Sequence, residues 1–127
     1  MVTATALLLC DFVYEDPTSH NVTVLGIFTA FRPSRFPSPA RPFSAYALLV
    51  GGPGEAGELL LQCTEEDGEL VHFYETVRTQ LGSSGKRHVH IRFGEDFRFP
   101  RPGRYRFTLA FNGGLIGEQT ITLSEAP

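Results

Sequence analysis

Tryptophan is absent from this 127-residue chain and methionine occurs only at its start, so large apolar volume has to come from eleven phenylalanines and the aliphatic residues. No apolar run approaches the ~18 residues a membrane-spanning helix needs, which excludes a helical span. The cysteines, Cys10 and Cys63, are too few for a disulfide framework. The opening MVTATALLLCDF has no basic segment and only a short apolar run, so it reads as a poor signal peptide and a good first strand. Two cysteines without a secretory signal point to free thiols in a reducing, cytoplasmic setting. Signatures of catalysis are also missing: there is no Gly-x-Ser-x-Gly, no P-loop and no dinucleotide fingerprint. No enzymatic activity, catalytic residue or cofactor is therefore assigned.

Thirteen glycines and nine prolines stand among many β-branched and aromatic residues, a composition of short strands divided by turns. The length suits one domain covering residues 1–127. Strands are expected at 4–14, 22–31 and 43–50, with a hairpin of 58–65 and 70–78 about Asp67-Gly68. A further strand, 88–93, alternates Val89, Ile91 and Phe93 inward with His88, His90 and Arg92 outward. Leu7 to Cys10 is apolar on both faces, so it should be covered on both sides or cross between sheets. Asp11 interrupts that run and must be hydrogen-bonded or lie at a bulge. Gly26, in mid-strand, signals a bulge or a close approach of another backbone.

The stretch from Asp96 to Leu123 carries the clearest pattern. Tyr105, Phe107, Leu109 and Phe111 alternate with Arg104, Arg106, Thr108 and Ala110, one buried face and one wet face. Pro100, Pro102 and Gly103 turn the chain into this strand. Parity of the return strand favours a three-residue loop, Asn112-Gly113-Gly114, with Phe111 facing Leu115, Leu109 facing Gly117 and Tyr105 facing Ile121. Arg104 and Arg106 then lie outward together. Tyr105 either bonds back to the backbone near the Pro-Gly corner, as in many sandwiches, or reaches water from the core.

Net charge is -3, but residues 51–75 hold seven acidic side chains and no basic one, while 86–106 hold seven basic against two acidic. The favoured reading is neutralisation between neighbouring strands rather than a nucleic-acid face. The loop at 32–42 contains four prolines and three arginines and must cross between sheets. Arg32, Arg35, Phe36 and Arg41 are its candidate partner-binding residues, although the favoured reading of Phe36 is a plug for one end of the fold. His88, His90, Arg92, Arg104 and Arg106 form the alternative, a ligand- or carbohydrate-binding face. A two-residue turn at Asp67-Gly68 puts Cys63 opposite His72. With His88 and His90 these are zinc-ligand types, but the spacing matches no zinc motif, so no metal is assigned.

Taken together, LLLCDFV ending on Asp11, VTVLGIFTAF with Leu25-Gly26, Arg-Phe-Pro at 35–37, and FPRPGRYRFTLAFNG with Pro102, Gly103 and Tyr105 are similar to a known pattern. It resembles a family of small bacterial β-sandwich proteins catalogued only as a domain of unknown function. The resemblance implies a sandwich fold and a bacterial cytoplasmic setting, and brings no activity or catalytic residues. The expectation is an all-β, immunoglobulin-like antiparallel sandwich of seven to eight strands. It would act as a non-enzymatic interaction module, with a protein partner or a second copy of itself, and without nucleic acid or membrane. A small-ligand-binding sandwich is the alternative, and a metal-dependent enzyme a distant third.

Overall fold

A computed structural model describes residues 1–37, 42–66, 71–93 and 97–125. They form nine strands: β1 (Thr3–Glu15), β2 (Val22–Ile27), β3 (Ala30–Phe31), β4 (Phe43–Val50), β5 (Ala56–Glu65), β6 (Val71–Gln80), β7 (Lys86–Phe93), β8 (Gly103–Phe111) and β9 (Gly114–Leu123). One sheet has the order β2-β1-β4-β7 and the other β3-β9-β8-β5-β6. This is the expected immunoglobulin-like sandwich. No described helix is long and apolar enough to cross a membrane.

The expected strand at 22–31 is divided. Phe28 still donates its amide to Leu9 of β1, but the Thr29 carbonyl already accepts from Thr122 of β9. The chain therefore changes sheets at 28–29, and β3 pairs with β9 in parallel. Neither the ninth strand nor the parallel pair was expected, because two residues are too few to leave a periodic pattern. β1, by contrast, stays in one sheet. Leu7 and Leu9 enter the core, while Cys10 is buried beside Ser44, whose carbonyl accepts from the thiol at 3.6 Å.

The β8–β9 hairpin corrects the expected loop. Asn112 and Gly113 both have positive φ, 49° and 85°, and form a two-residue turn that sets Phe111 against Gly114 and Ala110 against Leu115. A register shift follows between Leu109 and Ala110, restoring Leu109 to Gly117, Phe107 to Gln119 and Tyr105 to Ile121. Parity alone required one extra residue; the fold places it inside β9 rather than in the turn. Arg104 and Arg106 face outward, as that inner register demands.

Phenylalanine fills the space that tryptophan would occupy elsewhere. Phe43 and Phe93 stack at 4.4 Å across β4 and β7, and Phe93 also meets Phe73 at 4.4 Å and Phe107 edge-on at 5.6 Å. Phe97, Phe99 and Tyr105 extend this cluster toward one end of the sandwich. Fully burying each such side chain contributes roughly 1.5–3 kcal/mol. The glycine-rich link after β4 is not loose: Gly51 donates to Gly85, and Gly52 donates to the Glu55 carboxylate at 2.9 Å. That carboxylate occupies the amide a phosphate would need.

Candidate functional site

At the end of β5 a register shift after Cys63 pairs Cys63 with Phe73 and Thr64 with Val71, leaving His72 as the extra residue. The two-residue turn assumed from sequence, Asp67-Gly68, lies outside the described residues. The pairing of Cys63 with His72 is thus corrected, because the irregularity re-aims the imidazole. Its ring lies 5.7 Å from Tyr105 and its Nε2 is 3.1 Å from Glu65 Oε1. The other Glu65 oxygen accepts from Arg101 at 2.9 Å, and this bond chiefly holds the carboxyl below its ordinary range. Tyr105 Oη donates to the Arg101 carbonyl at 2.7 Å, closing the backbone corner, and burial pushes the phenol up.

Cys63 lies in the core against this cluster. Burial first, and Glu65 second, push its thiol up to about 12, so it is neither a ready nucleophile nor a ready ligand. His88 and His90 belong to the other sheet. Among the described residues, no three His, Cys, Asp or Glu side chains gather as a metal-binding group.

The ion pairs show how the uneven charge is used. Arg101 meets Glu65 and Arg104 meets Glu66 at 2.9 Å, joining the basic stretch to the acidic one, while Arg106 meets Glu118 of β9 at 3.4 Å, outside the acidic stretch. Arg104 and Arg106 therefore stand on the outer face of the five-stranded sheet, apart from His88, His90 and Arg92. In the 32–42 loop, Arg32 and Arg35 are exposed while Phe36 packs partly on the core. Arg41 lies outside the described residues.

The open side of the sandwich is grooved. β6 is the last strand of one sheet and β7 the last of the other, and among the described residues no strand pairs with their outer edges. Two adjoining grooves run between them. One, of about 490 Å³, is lined by His72, Phe73, Glu75, Arg92, Phe97 and Arg98, with Tyr74 at its rim, 66% exposed. The second, of about 260 Å³, is lined by residues including Leu59, Val77, Arg78, Arg87, His88 and His90. Of this lining, sequence reading had named His88, His90 and Arg92 as ligand-binding candidates, but it grouped them with Arg104 and Arg106 and missed the β6 wall, because the two walls come from strands of different sheets.

Arg92 ties the groove to the motif residues. Its guanidinium donates to the Asp11 carbonyl at 2.7 Å and to Ser44 Oγ at 3.1 Å, and lies 5.6 Å over the Phe12 ring. Asp11 in turn packs over Gly26, whose φ is +71°; a Cβ there would come within 2.3 Å of Asp11 Oδ2. The neighbouring outer face of β1 and β2 exposes Phe12, Tyr14, Leu25 and Ile27. The Asp11–Gly26 contact and the Pro-Gly-x-Tyr corner are thus two structural joints of one fold. Residues 5–124 match a family of unknown function, DUF6941.

The chain belongs to that family. No curated protein matches it. Among solved structures, this DUF6941 domain is similar to an immunoglobulin-like protein from Pseudomonas aeruginosa, with a TM-score of 0.53, 14% identity, and coverage of 98% of this chain and 97% of that one. It is similar also to part of the Pseudomonas fluorescens alkylpurine DNA glycosylase AlkC, solved bound to DNA containing an abasic site analog (TM-score 0.57, 12% identity, 96% of this chain and 30% of that one). A third likeness is to part of a Listeria innocua β-glucosidase in complex with glucose (0.54, 6% identity, 98% and 16%). The domain thus spans under a third of either enzyme. At these identities the likeness carries the fold and no activity.

Proposed function

We propose that this DUF6941 domain is a non-enzymatic protein-interaction module that takes an extended segment of a partner along the open side between β6 and β7. One observation carries the reading: among the described residues the outer edges of β6 and β7 pair with no strand, and both border grooves lined by polar and apolar side chains. Such edges bind by strand addition, main-chain hydrogen bonds supplying affinity and alternate side chains specificity. The 32–42 loop is the weaker surface, since Phe36 turns toward the core.

The test is to present a library of extended nine-residue peptides and follow amide exchange. Binding peptides should slow exchange along β6 and β7, and a proline at their centre should weaken them at least tenfold by removing a ladder donor. Protection confined to other strands, or indifference to proline, would defeat the reading.

Small-ligand binding is a second reading, favoured by the larger groove, whose volume is in the range of ligand sites and whose rim carries the exposed Tyr74 ring. Monosaccharide titration separates the two: saturable shifts at Tyr74 and Phe97 without peptide binding would support it.

A further inference from the structure

A second surface, at the opposite edge of the four-stranded sheet from β7, is independent of the strand-addition reading. Cys10 pairs with Ile27, Phe12 with Leu25 and Tyr14 with Thr23 across β1 and β2. Leu9 and Val13 turn inward, so period-two alternation sends Cys10, Phe12 and Tyr14, with the residues facing them, to the outer side. None of these side chains is charged. Leu8, Tyr46 and Leu48, half-buried, continue the same face across β1 and β4.

Phe12, Tyr14, Leu25 and Ile27 are 47%, 48%, 54% and 55% exposed. For side chains of this size that leaves roughly 400 Å² of apolar surface, the scale that marks an interaction site. The Phe12 ring is already held, because Arg92 lies 5.6 Å over it and bonds to the Asp11 carbonyl and Ser44 Oγ. An anchor fixed in advance loses little conformational freedom on docking. β2 adds an independent sign. Among the described residues no strand pairs with its outer edge, yet VTVLGI contains neither charge nor proline, the usual guards of an edge.

Two features select a second copy of the chain as the occupant. An uncharged face meets its own copy without like-charge repulsion, and it offers no complement to an acidic or a basic partner. A standard interface covers about 800 Å² on each side, of which a little over half is apolar. The four exposed side chains supply most of that apolar share, and Leu8, Tyr46, Leu48 and Thr23 surround them. Edge-to-edge pairing of two β2 strands would leave Phe12 and Tyr14, one strand further in, as exposed as before. Stacking the two sheets covers all four.

We infer that two copies associate face to face through the outer surface of β1 and β2, with Phe12 and Leu25 at the centre of a two-fold interface. β7 lies at the other edge of that sheet, so the pairing leaves the open side of each copy clear.

Sedimentation equilibrium of the whole domain tests this. The wild-type chain should be a dimer at about 100 μM and dissociate on dilution. Leu25→Thr with Ile27→Thr keeps residues suited to an exposed strand, and should raise the dimer dissociation constant roughly tenfold or more. Tyr14→Thr, on β1, should weaken the dimer in the same direction and gives a reading independent of the β2 variants. Val77→Thr, also at an exposed site but on β6, should leave the dimer unchanged. Urea unfolding at a dilution where every variant is monomeric checks the fold. A wild-type monomer at the higher concentration overturns the inference; its co-sedimentation with phosphatidylcholine vesicles would assign the face to a lipid surface instead. A dimer indifferent to the β1 and β2 variants also refutes it, and weakening by Val77→Thr would then place the contact at the open side. Slowed exchange of the β2 amides on dimerisation, with no effect of Tyr14→Thr, would mean edge pairing and refute the stacked arrangement.

Discussion

Replacing Gly26 by alanine probes the joint between β1 and β2 on which the motif residues converge. Two costs add. The backbone sits at φ +71°, where an L residue loses about 1–2 kcal/mol relative to glycine. The new Cβ would also lie 2.3 Å from Oδ2, 2.7 Å from Cγ and 3.0 Å from Cβ of Asp11. Because the clash reaches back to the root of that side chain, rotation of the carboxylate alone does not relieve it, and overpacking of this kind costs a further ~1–3 kcal/mol. The sum, about 2–5 kcal/mol, is a large part of the 5–15 kcal/mol typical of a domain. Urea unfolding of Gly26→Ala, Asp11→Ala and the double variant closes a thermodynamic cycle. In the Asp11→Ala background the 2.3 and 2.7 Å contacts disappear and only the 3.0 Å Cβ contact is left, so Gly26→Ala should then cost less, close to the backbone contribution of about 1–2 kcal/mol. An identical cost in both backgrounds would show that Asp11 is not what requires glycine here.

Tyr105→Phe should destabilise by about 1–2 kcal/mol, since it strips the Arg101 carbonyl of a 2.7 Å partner near the surface; a change under ~0.3 kcal/mol would mean the corner bond is idle. Glu65 has its pKa lowered by Arg101 and His72, so its contribution is present above the unfolded carboxylate range near ~4.3 and lost as pH falls through the folded value. Glu65→Gln should accordingly be more destabilising in urea melts at pH 7 than at pH 3, and a penalty that grows on acidification would refute the assignment. Cys10 and Cys63 are fully buried and both thiols are pushed up by burial. Ellman's reagent at pH 8 should therefore find no fast-reacting thiol in the folded chain and two after denaturation.

Much of the fold could be read from residue order because it rests on period-two alternation, which is local. The 43–50 strand matches β4 at both ends, the inner row Tyr105, Phe107 and Leu109 faces the partners that parity demanded, and the outward Arg104 and Arg106 follow from it. The motif around Asp11, Leu25-Gly26 and Pro102 to Tyr105 was visible in sequence, though its reason was not. That Asp11 excludes a Cβ at position 26 depends on two strands meeting in one register.

What escaped sequence reading shares one physical cause: a single extra residue, or a contact between sheets, leaves no periodic trace. The irregularities in β9 and at His72 each shift a register by one position and redirect a side chain. The division of 22–31 into β2 and β3 is decided by which carbonyls lie within reach of residues 28 and 29. The groove exists only because the last strands of two different sheets end side by side. Sequence alone determined most of the strands, their faces and the family resemblance; the packing of two sheets decided where one strand divides and where those faces leave an edge uncovered, because main-chain pairing between strands distant in sequence is set by the assembled core.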